Sequence, residues 1–112
     1  MIEVTILNFL NEKLSTPVYM ERPKEAPSSF YILEKTGSAQ ENHINSSTFV
    51  IQSYAGTLYD AACMNEEAKS IMLDDLLELG DIASVRLNSD YNFTDTSTKQ
   101  YRYQAVFDIV HY

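Results

Sequence analysis

A chain of 112 residues with 45% apolar and 21% charged residues, and only 3 Gly and 3 Pro, has the make-up of one folded domain with one modest core, since single domains centre on roughly 100–150 residues. Sixteen acidic against eight basic residues leave a net charge of −8, which works against sequence-specific nucleic-acid binding and against anionic membranes, because such affinity rests on Lys and Arg displacing counterions. A single cysteine, Cys63, excludes an intramolecular disulfide and fits a reducing cytoplasm, and no apolar run approaches the roughly 20 residues of a membrane span.

Ile2 to Leu14 reads as a first helix, with Ile2, Ile6, Phe9, Leu10 and Leu14 at helical spacing. Glu3 in the first turn and Lys13 in the last both suit the helix dipole, and Ser15-Thr16-Pro17 ends the element. Val18-Tyr19-Met20 is a short extended piece, followed by a loop whose prolines, Pro23 and Pro27, favour extended or turn geometry. Phe30 to Lys35 is a β-rich run. A polar connection is expected from Thr36 to about Asn45, and Ser47 to Tyr54 forms the next strand.

The second helix is expected as one continuous element of about 22 residues, by the spacing of its apolar positions. Thr57 with Asp60 three residues on resembles a capping box, and Leu58, Ala61, Ala62, Ala68, Met72, Leu76 and Leu79 trace one stripe. Gly80 fits the left-handed residue that closes such a helix. Ile82 to Leu87 is a fourth strand, and Asn88 to Lys99 a polar stretch that carries Tyr91 and Phe93 towards solvent. In the closing strand, Gln100 to Tyr112, apolar residues occupy part of both faces, as in a strand with neighbours on each side. The order α-β-β-β-α-β-β predicts an α+β fold: a two-layer sandwich with a mostly antiparallel sheet and two helices on one face. The other face is then partly apolar and uncovered, a pattern associated with assembly.

No constellation for catalysis emerges. His43 and His111 have no second ligand at metal spacing, so no metal or other cofactor is expected. Cys63, beside the apolar stripe of the second helix, reads as a small buried hydrophobe. Glu66-Glu67 and Asp74-Asp75 are helix neighbours pointing about 100° apart and make no close dyad. Three isolated glycines build no phosphate-cradling loop. The aromatic content, 8 Tyr and 5 Phe without Trp, instead suits surfaces that are dry on one side and wet on the other.

Two stretches carry a family resemblance. Val18-Tyr19-Met20-Glu21-Arg22-Pro23 through Pro27-Ser28-Ser29-Phe30, running into Glu34-Lys35-Thr36-Gly37, resembles a segment of small tail proteins in prophages of Gram-positive bacteria. Leu87 to Asp95, leading into Lys99-Gln100-Tyr101-Arg102-Tyr103, is the second. With the element order, they make the whole chain similar to the tail-terminator (tail completion, head–tail joining) family of long-tailed phages. The resemblance implies a structural virion protein assembled in the host bacterial cytoplasm, without enzymatic step or cofactor. It implies a homo-oligomeric ring, typically a hexamer, with tail tube protein and a head-completion (connector) protein as partners.

Two polar segments, Gly37–Ser46 and Asn88–Lys99, are expected to be mobile in the free subunit and to order against a neighbour. The interaction residues expected in them are Asn42 and His43 in the first, and Asp90, Tyr91, Asn92, Phe93 and Thr94 in the second. Other neck proteins have similar size, and a generic protein-binding module shares the composition. A small-molecule enzyme would need a concave apolar pocket with perturbed titratable groups.

Overall fold

The computed structural model, which describes every residue from Met1 to Tyr112, builds the chain on one five-stranded sheet with both helices on the same face. In chain order the elements are α1 (Ile2–Lys13), β1 (Val18–Tyr19), β2 (Phe30–Glu41), β3 (Ile44–Ala55), α2 (Leu58–Ser70), β4 (Ile82–Asn92) and β5 (Tyr101–His111). The strands lie in the order β1-β2-β3-β5-β4, with β1 parallel to β2 and all other neighbours antiparallel. This is the expected α+β sandwich, and β5 is indeed flanked on both sides. It departs from the expected order in one respect: a π turn, Ile71–Asp75, and a 3-10 turn, Leu76–Glu78, follow α2.

Alternation along the strands makes the core. Tyr31 and Leu33, Phe49 and Ile51, and Ala105, Phe107 and Ile109 point to one face and are buried against Ile6, Phe9, Leu10 and Leu14 from α1 and Met64, Ala68, Met72 and Leu76 from the second helical segment. Each large side chain in this layer contributes roughly 1.5–3 kcal/mol by leaving water. Asn11 fixes the exit of α1: its amide donates to the carbonyls of Leu7 and Val18, and its oxygen accepts from the Val18 N–H.

The break in the second helix follows from its sequence. Met64, Ala68, Met72 and Leu76 are all buried and four residues apart, whereas an α-helix turns in 3.6, so such a stripe drifts by about 40° per step. The wider π turn absorbs the drift and keeps Met72 and Leu76 on the sheet. Leu58, 39% exposed, lies outside the stripe, which starts at Ala61. Thr57 accepts from the Asp60 N–H at 3.1 Å, which is half of the expected capping box. Gly80 does not take the left-handed conformation. The chain leaves through extended Leu79, and hydrogen bonds from Leu79 to Leu76 and from Ile82 to Leu79 occupy carbonyls that a left-handed glycine would otherwise help to satisfy.

Cys63 is exposed, in contrast to the buried position expected for it, because Ala61, Met64 and Asn65 take the inward positions of that turn. The Cys63 side chain, one helical turn on, raises the pKa of the exposed Tyr59 hydroxyl.

Both expected polar connections are largely strand. β2 and β3 stay paired to Glu41↔Ile44, and only Asn42 and His43 form the turn, both at positive φ (52° and 67°), the backbone of a two-residue hairpin turn of type I′. β4 likewise runs on to Asn92, paired with Tyr103. Strand pairing therefore takes in Gly37–Glu41, Ile44–Asn45 and Ser89–Asn92, where polar connections were expected. Residues Glu34 to Ile44 are exposed, so they lack the buried side chains that announce a strand in sequence.

Candidate functional site

The sheet face turned away from the helices carries the densest set of polar and aromatic contacts. Strand register makes two rows across it. Phe30, Tyr54 and Arg102 face one another across β2, β3 and β5. Ile32, Gln52, Gln104 and Tyr91 do so across β2, β3, β5 and β4. Phe30, Ile32 and Tyr54 are a second small buried cluster, against which Tyr19 and Ala26 pack. The Phe30 and Tyr54 rings are stacked, 4.7 Å between centroids and 6° from parallel.

A directed chain of hydrogen bonds links the two rows. Arg102 Nη1 donates to the Tyr54 hydroxyl at 3.3 Å, which donates to Gln52 Oε1 at 3.0 Å. Gln52 Nε2 donates to Gln104 Oε1 at 2.9 Å, and Gln104 Nε2 donates to the Tyr91 hydroxyl. Every donor points the same way, from a permanent cation to a hydroxyl whose own proton is left over. Such an arrangement polarises each member in turn, and it ends on Tyr91, which is 42% exposed.

Two guanidinium groups frame the rings. Arg22 sits 5.7 Å from the centroids of both Phe30 and Tyr54. Arg102 sits 5.8 Å from Tyr54 and 4.4 Å from Phe93, and its Nε donates to the Phe93 carbonyl at 2.7 Å. With its amide turned so that the oxygen faces Arg22, Gln100 accepts from that guanidinium. The five ion pairs of the molecule use Lys13, Lys35, Lys69 and Arg86, and none uses Arg22 or Arg102.

The expected interaction residues divide between three places. Tyr91 and Phe93 meet edge to face at 5.9 Å on the open face, and Phe93 is 40% exposed. Asn92 and Thr94 shape the turn beside them: Asn92 Oδ1 accepts from the Thr94 N–H, and the Thr94 hydroxyl accepts from the Arg102 N–H. Asp90 lies between Tyr91 and Ser89 on the opposite face, where it pairs with Lys69 of α2. That hydrogen bond, with a second to Glu66, raises the Lys69 pKa. Asn42 and His43 sit at the far end of the sheet. Along β3, Asn45 and Tyr54 are nine residues apart, or about 30 Å at strand rise, so the hairpin tip and the Tyr91 cluster are separate sites. Arg22, Phe30, Gln52, Tyr54 and Gln104 were not among the expected residues. Their only sequence signal was the alternation of Arg102, Gln104 and Val106 with the core residues of β5.

Elsewhere the surface is shallow. An open concavity of about 540 Å³ is lined by Gly37, Ser38, Thr48, Arg86 and Asp108 among others. The Asp108 carboxylate there is engaged on both oxygens, by Thr48 on one and by Asn88 and Arg86 on the other. A second concavity lies near Asn45, Asp81 and His111, where His111 Nε2 and the buried Ser47 hydroxyl are 2.8 Å apart. No three His, Cys, Asp or Glu side chains are grouped closely enough to hold a metal ion, and no helix is long and apolar enough to cross a membrane. Compared with protein-family models and with curated proteins, the chain matches none.

Proposed function

We propose that this chain is a non-catalytic structural component of a long-tailed phage or prophage, a tail terminator that assembles in the host bacterial cytoplasm into a ring at the neck of the virion. The ring caps the tail tube and helps to join tail to head, with the tail tube protein and a head-completion protein as partners and no cofactor. The observation that carries this reading is a sheet open at both edges. On one side β1 covers β2 only at Tyr31 and Ile32, and Glu34 to Glu41 are exposed without an outer neighbour. On the other side β4 has no outer neighbour at all.

A ring of identical subunits requires two different, mutually complementary surfaces on each copy. Two free edges of one sheet are such a pair, because each presents unpaired N–H and C=O groups that another strand satisfies. The similarity of residues 18–37 and 87–105 to phage tail proteins supports the neck as the place where such a ring works, and a hexamer is the ring size that this similarity implies.

The test is the mass of the purified protein by light scattering, alone and with assembled tail tubes. A closed oligomer, or a monomer that binds tube ends stoichiometrically, is the expected result. A monomer indifferent to tubes overturns the terminator role.

A further inference from the structure

We propose that the open face bearing Arg22 and Arg102 docks the acidic turn at residues 74–81 of a second copy of this chain, an inference that rests on the ring reading above. The two guanidinium groups are the place to start. Each lies within 6 Å of two ring centroids, Arg22 near Phe30 and Tyr54, and Arg102 near Tyr54 and Phe93. The other partners are neutral, Gln100 for Arg22 and the Phe93 carbonyl and Tyr54 hydroxyl for Arg102, so the charge of each has no counter-ion, and the N–H groups of a guanidinium are suited to a carboxylate. Neither group has a carboxylate within the molecule, although the chain carries sixteen acids against eight bases.

The chain supplies the complement itself. Only five of its sixteen acids are ion-paired, Glu3, Glu66, Glu78, Asp90 and Asp108. Asp74, Asp75 and Asp81 are not, and within the same eight residues Leu77 is 49% exposed. That stretch offers carboxylates together with an apolar side chain, which matches two cations set around rings.

The two surfaces cannot meet within one subunit. The acidic turn belongs to the helical layer, while Arg22 and Arg102 lie on the other side of the sheet. They are also at opposite ends of it: Asp81 accepts from the Tyr112 N–H, next to the pairing of His111 with Asn45, whereas Arg102 pairs with Tyr54 at the far end of β3. A basic–aromatic patch and an acidic–apolar patch placed diagonally across one subunit give a head-to-tail contact, the type that propagates or closes into a ring. Nucleic acid is the poorer occupant, since a molecule of charge −8 repels a polyanion.

Charge reversal on each side tests this. Two variants, Arg22→Glu/Arg102→Glu and Asp74→Lys/Asp81→Lys, are compared with wild type by sedimentation at low and high salt, alone and with tail tubes. Each variant alone sets like charges against each other and is expected to lose self-association by about 100-fold or more. Mixed together, the two are expected to reassemble, since the reversed face of one copy then meets the reversed turn of the other and both native surfaces also find a match. A misfolded variant would not recover on mixing, so recovery is specific to the contact. If the folded Arg22→Glu/Arg102→Glu protein assembles as wild type does, or if the mixture stays dissociated, this contact is overturned while the ring reading stands. If wild type neither self-associates nor assembles on tubes, both fall. Arginine-dependent binding of a single-stranded DNA oligonucleotide, with self-association unaffected by either reversal, also overturns it.

Discussion

The hydroxyl of Tyr31 in β2 donates to the backbone carbonyl of Met64 in α2 at 3.0 Å, inside the core, where Tyr31 is 1% exposed. This bond ties the sheet to the helix layer across 33 residues of chain. Burial, and secondarily the charge of Glu67, pushes the Tyr31 pKa far above the ordinary phenol range. A group whose folded pKa is raised keeps its full contribution to stability below its unfolded value, about 10 for tyrosine, and loses it as pH rises from there towards the folded value. Lys69, raised by Asp90 and Glu66, acts in the same direction just above 10.5.

Tyr31→Phe is therefore expected to cost about 0.5–1.5 kcal/mol at neutral pH, because the buried hydrogen bond from the hydroxyl to the Met64 carbonyl is lost. The deficit should shrink between pH 10 and 11, where the wild-type protein must suppress ionisation of a buried phenol and the variant need not. Urea unfolding at pH 7, 10 and 11 checks both statements. Parallel alkaline slopes for the two proteins would show that Tyr31 is not the titrating source.

At the hairpin tip, Asn42 and His43 both adopt positive φ. Asparagine tolerates the left-handed region and histidine less well, and a type I′ turn prefers Asn-Gly. His43→Gly is expected to stabilise the protein by about 0.5–1 kcal/mol, the release of backbone strain exceeding the extra entropy of glycine in the unfolded chain. Thermal unfolding at neutral pH measures it. A lower midpoint would mean that the His43 side chain contributes more than its backbone costs.

Ser53 lies on the helix-facing side of β3, near the C-terminal end of the strand, fully buried, and its hydroxyl has no hydrogen-bond partner. A buried unsatisfied hydroxyl costs roughly 1–3 kcal/mol. Ser53→Ala removes it with almost no change in volume, so the expected outcome is a gain of about 1 kcal/mol in denaturant unfolding with an unchanged m-value. Loss of stability would place Ser53 in a polar contact with Asn65, whose own amide oxygen is equally unpartnered.

How much of this was legible in the sequence depended on burial. α1 and the start of α2 were readable because one side of each is apolar at helical spacing. The π turn was not, because a four-residue spacing over Met64, Ala68, Met72 and Leu76 looks helical until its drift is counted. Cys63 misled for the same reason: one helical position, about 100°, separates a buried site from an exposed one. Thr36–Glu41 was hidden because a strand end with water on both faces has no alternation to show. The open face failed for a different cause. Arg22, Tyr54 and Arg102 come together only through the pairing of β2, β3 and β5. That register is set by the turn at Asn42–His43 and by the bulge between Lys35 and Gly37, and neither is visible as chemistry. Grouping polar loops by composition put Asn42 and His43 with Tyr91, whereas pairing sends them to opposite ends.

The two ends of the Arg102–Tyr54–Gln52–Gln104–Tyr91 chain give different expected results. Tyr54→Phe keeps the stack on Phe30 but removes the hydroxyl that joins Arg102 to Gln52. It should cost about 0.5–1.5 kcal/mol, the net worth of a partly exposed hydrogen bond, because water reaches part of what is left unpaired. Tyr91→Ser with Phe93→Ser acts where the rings are already 42% and 40% exposed, so the fold loses little and the unfolding midpoint should shift by only a few degrees. Binding to tail tubes or to a second copy should fall at least tenfold in the same variant, since exposed aromatic anchors that bury on association carry most of the energy of an interface. Paired measurements of thermal midpoint and tube binding decide between the two roles. A large drop in the midpoint with unchanged binding would make Tyr91 and Phe93 part of the scaffold, and recognition would then have to rest on the free strand edges or on the Arg22–Arg102 pair.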